Sequence, residues 1–340
     1  MSIITTNDLR LIVEKHPYMD IFAAPEYAAL YKRSGVEATA FQFKNPEGKI
    51  IFPFLIHDLS HLPFFPQGMA SAYHIETPYG YGGPVVIEGV PTEKLYSKFY
   101  EAFGQWAIQN NVVSEFVRFN LFSEARKYFP GTVEQHNHNI VLDLSPSIEA
   151  IWSDFDHKVR KNVQKAISSG VEVVVDPTGK HLNQFLENYY HTLERRQAAK
   201  RYYFGKEFFQ KIGNTLSGKY CYFHATHQGR VVSSELVLIS GNTIYSFLGG
   251  TLAEYFNLRP SDLLKYRIIE WARENGHRQF VIGGGHQPHD GIFAFKKAFA
   301  PTGLVPFFIG KKIHNPEVYK QLVAASGNEQ GGFFPAFFFE

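Results

Sequence analysis

The stretch "GRVVSSELVLISGNTIYSFLGG", residues 229–250, carries two runs of strand-forming residues, VVSSELVLIS and TIYSFLGG. Upstream, "YCYFHATH" supplies a further run, and His227-Gln228-Gly229-Arg230 has the composition of a hairpin turn leading into the first of them. Downstream, Pro260 and Ser261 are helix start signals for "PSDLLKYRIIEWARENG". A strand, "RQFVIGGG", a short helix, "GIFAFKKAFAP", and a last strand, "LVPFFIGKK", complete this half. The order of strands, helix, strand, helix and strand is that of an α/β fold with mixed sheets.

Further upstream, "SPSIEAIWSDFDHKVRKNVQKAISSG" places Val159, Val163 and Ile167 at four-residue intervals, one face of a helix that Gly170 closes. The strand "VEVVVD" and the helices of "HLNQFLENYYHTLERRQAAK" and "KEFFQKIGNTLSG" follow. The first half repeats the order. "EATAFQFKNPEGKIIFPFLIHDL" reads as a hairpin around Asn45-Pro46-Glu47-Gly48. Then come a third strand in "TPYGYGGPVVI", a helix over "TEKLYSKFYEAFGQWAIQNN", and the strands "EFVRFNLF" and "HNIVLDLS". Two similar units, residues 1–147 and 148–340, are expected to meet at a cleft, the usual place for a ligand.

With 340 residues, 44% hydrophobic and 19% charged, the chain has material for two cores. A net charge of +2 leaves nucleic-acid contact to a local patch, and no DNA partner is expected. One cysteine, Cys221, excludes an internal disulfide framework and fits a reducing compartment; mid-strand, it reads as a core thiol. No signal segment opens the chain and no run of ~18 apolar residues spans a membrane, so a cytoplasmic location is expected. The tail "GGFFPAFFFE" is read as rings packed on the body or on a partner, or as a disordered end.

"VRKNVQKAISSGVEV", "YYHTLERR", "GRVVSSELVLISGNTIYSFLGG", "LRPSDLLKYRIIEWARENG" and "GIFAFKKAFAP", in this order, resemble the FemABX peptidyltransferases and their BioF2-like relatives, a branch of the GNAT acyltransferase superfamily. The resemblance implies tandem GNAT-like domains, the first on the acceptor side and the second on the donor side. It also implies transfer of an aminoacyl or acyl group to an amine. In FemABX proteins the donor is aminoacyl-tRNA and the acceptor a peptidoglycan precursor.

Residue by residue, Phe295 and Lys296 match the family's Phe-Lys pair. Aminolysis of an ester builds negative charge on the carbonyl oxygen, which a fixed cation in a dry site stabilises. A plain amphipathic helix with Lys296 exposed and Phe295 in the core is the alternative. Arg195 matches the arginine that meets a nucleotide-linked acceptor, and Lys32 falls where a first-domain lysine has the same task; solvated helix faces would explain both. In "TPYGYGGPV", Tyr79 or Tyr81 can hydrogen-bond a sugar or peptide, or form a packed turn, and Tyr245 has the same standing.

Lys158, Lys161 and Lys165 share one helix face, either a patch for tRNA or diphosphate or a solvated surface. His286, His289 and Asp290 match no strong metal-ligand spacing, so no metal is expected. The GNAT glycine-rich loop for acyl-CoA is replaced by "EYFNLRPSDLL", which disfavours CoA; Arg259 can still act as a phosphate ligand.

The expected activity is therefore N-acyl or aminoacyl transfer onto a nucleotide- or lipid-linked cell-envelope precursor, with aminoacyl-tRNA as donor and no permanently bound cofactor. An acyl-CoA-dependent enzyme acting on an amino sugar and a non-catalytic binding scaffold are the alternatives.

Overall fold

The computed structural model describes residues 2–285, 290–328 and 333–338. Its contacts resolve two compact units, Met1–His136 with Phe307–Glu340, and Asn137–Pro306. Residues 307–340 thus belong by contact to the first unit, not to the span that follows residue 148. Compactness and ancestry are different properties, and the tandem division at residues 147 and 148 is kept as a proposal.

The first unit contains β1 (Ser2–Ile4), α1 (Thr6–Lys15), α2 (Pro25–Ala29), β2 (Val36–Asn45), β3 (Gly48–Asp58), β4 (Tyr73–Glu76), β5 (Val85–Gly89), α3 (Glu93–Gln109) and β6 (Val112–Arg118). The chain leaves it within β7 (Thr132–Asp143). The β2–β3 hairpin forms as expected, its turn closed by Asn45 Oδ1, which accepts from the amides of Glu47 and Gly48 at 3.0 and 3.1 Å. Opposite the sheet, α3 buries Leu95, Phe99 and Phe103 against Phe41, Phe52 and Phe54. Expected as one strand, "TPYGYGGPVVI" forms one only at its end, in β5; the strand beside β6 is β4, just before it. Gly80 and Gly83 there adopt positive φ angles of 108° and 103°, outside the range of extended strands.

The second unit contains α4 (Ile148–Asp154), α5 (His157–Ser168), β8 (Glu172–Asp176), α6 (Leu182–Arg195), α7 (Lys206–Thr215), β9 (Tyr220–His227), β10 (Arg230–Ser240), β11 (Thr243–Thr251), α8 (Pro260–Glu274), β12 (Gln279–Gly283) and α9 (Gly291–Lys297). Its sheet runs β7-β12-β11-β10-β9-β8, antiparallel except for β11 and β12. Alternation along β9 explains its unbroken apolar sequence. Cys221, Phe223 and Ala225 join the core with α5 and α8, whereas Tyr222 on the other face meets Phe185 of α6. On α5 the buried stripe is Val159, Val163 and Ala166, and Ile167 is exposed, contrary to the four-residue reading. At about 100° per residue, a step of seven returns closer to the starting face than a step of eight.

The chain returns to the first unit within β13 (Leu304–Ile313), which pairs with β6, and ends in α10 (Pro316–Ser326), a helix absent from the sequence reading. Phe337 is buried beside α10, and Phe338 lies against His57 and His74 of the first unit. These two tail rings therefore pack on the body of the protein.

Candidate functional site

In the second unit, β11 and β12 pair at Thr243↔Gln279, Ile244↔Phe280 and Tyr245↔Val281. From Ser246 onward no pairing with β12 is found among the described residues, although β11 stays bonded to β10 as far as Thr251. Two parallel strands thus part at Ser246.

Charged side chains flank this opening. Lys265 sits on the apolar face of α8, between Leu264 and Ile268, and is only 3% exposed. Its ammonium donates to both carboxylate oxygens of Glu235 on β10, at 2.5 and 2.7 Å, and to Ser246 Oγ at 3.2 Å, and lies 5.0 Å from the centre of the Phe280 ring. A lysine and a carboxylate are tolerated in a core only when paired in this manner.

At the end of β12, Lys296 of α9 reaches back and donates from Nζ to the Gly284 carbonyl at 2.8 Å. Lys296 has no carboxylate partner among the described residues. Burial, and after it the positive charge of Lys265, lowers its pKa to about 8. The glycines here have a steric reason. Gly283 has φ +85°, and a Cβ on it would lie 3.1 Å from Lys296 Nζ; one on Gly284 would fall 2.7 Å from the His138 carbonyl oxygen and 3.0 Å from Asn139 Oδ1. Gly283→Ala is expected to cost about 1–2 kcal/mol, the price of a Cβ in left-handed space, measurable by urea unfolding.

The two adjacent lysines of "FAFKKAF" face different ways. Lys297 is exposed, Lys296 is turned inward, and Phe293 and Phe299 are buried. Phe295 packs edge-to-face on Phe299, with ring centres 5.3 Å apart. Tyr245 is buried on the last paired residue of β11, directly before the opening. Lys296 and Tyr245 are therefore the sequence candidates that border it.

Other candidates lie elsewhere. Arg195, at the exposed end of α6, stacks on Phe256 at 4.8 Å. Lys158, Lys161 and Lys165 are exposed on α5. In the first unit Lys32 pairs with Glu37 at 2.6 Å, Tyr79 is exposed, and Tyr81 packs between Phe22 and Phe307. Cys221 is buried, and burial pushes its thiol up to about 12, which is inert. His286 and His289 lie outside the described residues, while Asp290 caps α9 by accepting from the Phe293 amide at 2.8 Å.

At the start of α8, Arg259 is exposed in the left-handed region, φ 59°. Asp262, the third helical residue, is buried and accepts from Asn162 Nδ2 at 3.0 Å. A carboxyl thus occupies the helix N-terminus.

Sequence reasoning missed Glu235, Lys265, Ser246 and Asn139. The available signal was a lone acid in VVSSELVL and a lone lysine in DLLKYRII, charges in runs that are otherwise buried.

The Acetyltransferase (GNAT) domain family matches residues 153–297, which include Glu235, Ser246, Lys265 and Lys296. No curated protein sequence matches the chain. Among solved structures, FemX is similar with a TM-score of 0.67 at 14% identity, covering 94% of this chain and 99% of that one. L-PGS from Bacillus licheniformis follows with a TM-score of 0.56 at 13% identity, covering 89% and 91%. A tandem GNAT protein from the clavulanic acid biosynthesis pathway gives a TM-score of 0.55 at 11% identity, covering 92% and 98%. The chain is accordingly an acyltransferase with a GNAT domain over residues 153–297, and its fold is that of FemX and of a tandem GNAT protein.

Proposed function

We propose that this acyltransferase moves an aminoacyl group from an ester donor, aminoacyl-tRNA, to an amine on a nucleotide- or lipid-linked cell-envelope precursor. The observation that carries this reading is the partly buried Lys296, free of a carboxylate partner among the described residues, at the parting of β11 and β12. When the acceptor nitrogen attacks the ester, charge develops on the carbonyl oxygen. An ammonium held in a low-dielectric site stabilises that charge more than it stabilises the ground state.

The α8 N-terminus supports an ester donor over acyl-CoA. A pyrophosphate drawn to its positive end would meet the buried carboxyl of Asp262 in the first turn. Exposed Lys158, Lys161 and Lys165 offer phosphate contacts suited to a tRNA backbone. Arg195, Arg259 and, in the first unit, Lys32, Tyr79 and Tyr81 are proposed as substrate contacts, with Phe295 and Tyr245 shaping the acyl site.

Labelled aminoacyl-tRNA and labelled acetyl-CoA, each offered with an amine acceptor set that includes a UDP-linked muramyl pentapeptide, test the proposal. Label is expected on an amine from the tRNA donor. Transfer from acetyl-CoA alone would replace this reading with a sugar N-acyltransferase, and no transfer from either would leave a binding scaffold.

A further inference from the structure

On the face of the second unit's sheet turned away from α8, β9 carries a buried chain of polar groups. Asn188 Nδ2 of α6 donates to Ser234 Oγ at 2.9 Å, and Ser234 Oγ lies 2.9 Å from His224 Nδ1. The other ring nitrogen, His224 Nε2, is 3.6 Å from Asp176 Oδ2 and has no hydrogen-bond partner among the described residues. Burial lowers the His224 pKa to about 4, so the ring is neutral and carries one N–H. The Asp176 carboxylate draws that hydrogen to Nε2, since a lone pair there would be repelled. Ser234 then donates its hydroxyl hydrogen to Nδ1 and accepts from Asn188, which completes the chain. Asp176 is itself fixed by the amides of Thr178, Gly179 and His181, at 3.0, 2.9 and 2.9 Å. What remains is a rigid, buried donor with nothing to accept from it, which fold stability does not call for.

His224 borders a pocket of about 460 Å³ between α6 and the strands β8, β9 and β10. Among the lining residues and their ion partners, three carboxylates, Asp176, Glu187 and Glu254, stand against the guanidinium of Arg230, which lies 3.0 Å from Glu187 and 3.7 Å from Glu254. An anion would be repelled there. An apolar occupant would leave the His224 donor unmet. The Gln184 and Gln228 amides and the Thr226 hydroxyl can each donate and accept, while Val174 and Val231 add an apolar strip. Hydroxyl groups set around a C–H face complement such a lining.

We propose that this pocket binds a neutral saccharide unit, one hydroxyl of which accepts from His224 Nε2 while its C–H face lies on Val174 and Val231. The His181 ring, edge-on to His224 with centres 5.4 Å apart, is the side chain that a ligand turns aside to reach this nitrogen. Lys265 and Glu235 lie on the opposite face of the sheet, so the pocket is a second site, separate from acyl transfer.

NMR of protein labelled with 13C and 15N in histidine reads the pocket directly, with His181→Asn and His224→Phe to assign the signals. The probes are N-acetylglucosamine, its β-1,4-linked dimer and inorganic phosphate. At least one of the two saccharides is expected to move the His181 and His224 signals saturably, and phosphate is expected to leave them in place. Gln184→Ala, at an exposed position, is expected to weaken saccharide binding about fivefold, and His224→Phe to abolish it. If His224→Phe fails to fold, Thr226→Val with Gln184→Ala replaces it, with an expected loss of about tenfold or more. Signals unmoved by both saccharides, signals moved as far by phosphate, or binding undiminished in these variants would overturn the inference. No acyl donor enters the measurement, so its failure leaves aminoacyl transfer intact, and a protein that transfers nothing can still bind the saccharide.

Discussion

Lys296→Ala is expected to slow single-turnover transfer by about 100- to 1000-fold, the loss seen when one donor to a developing oxyanion is removed. Binding of the donor is expected to change little, because the ammonium acts on charge that appears only in the transition state. Lys297→Ala, one residue away on the exposed side of α9, is expected to behave as wild type. The contrast between adjacent lysines separates a positioned charge from general basicity. Equal losses in both variants would mean that the helix contributes only a diffuse positive field.

The second large effect is on stability. Glu235→Ala leaves the Lys265 ammonium in the core with Ser246 Oγ as its remaining hydrogen-bond partner. Breaking a buried pair on one side costs about 3–5 kcal/mol, a large part of the stability of an ordinary domain. Urea unfolding at neutral pH measures it. Removing both charges together, with Gln at 235 and Met at 265, is expected to be far milder, because no uncompensated ion remains. A single variant as mild as the double one would mean that water reaches Lys265.

The parts of the fold that were legible are those set by local pattern. The strand-forming runs in residues 220–250, the turn at Asn45 to Gly48 and the start of α8 at Pro260 are each dictated by neighbours in sequence. Long-range pairing was not legible. "LVPFFIGKK" reads as one more strand of the second half, yet its residues 309–313 bond to β6, because β-strands choose partners by contacts that no local period records.

The site divides in the same way. Lys296 was singled out because a short motif carries it. Glu235 and Lys265 lie thirty residues apart on different elements, and only the packing of α8 over β10 turns two odd charges into one ion pair. The glycines at 283 and 284 are required by the left-handed backbone of the one and by the close approach of the β7 segment at His138 and Asn139 to the other.

The central claim is that the ester end of the donor lies against Lys296, and the most direct test is covalent. Periodate-oxidised tRNA carries an aldehyde at its 3′ end, which forms an imine with a nearby neutral lysine and is fixed by cyanoborohydride. With its pKa lowered to about 8, Lys296 is the lysine best prepared to react. Peptide mapping is expected to find the adduct on Lys296, and unmodified aminoacyl-tRNA is expected to suppress it. Adducts confined to exposed lysines such as Lys158, Lys161 and Lys165, with Lys296 untouched, would contradict the account.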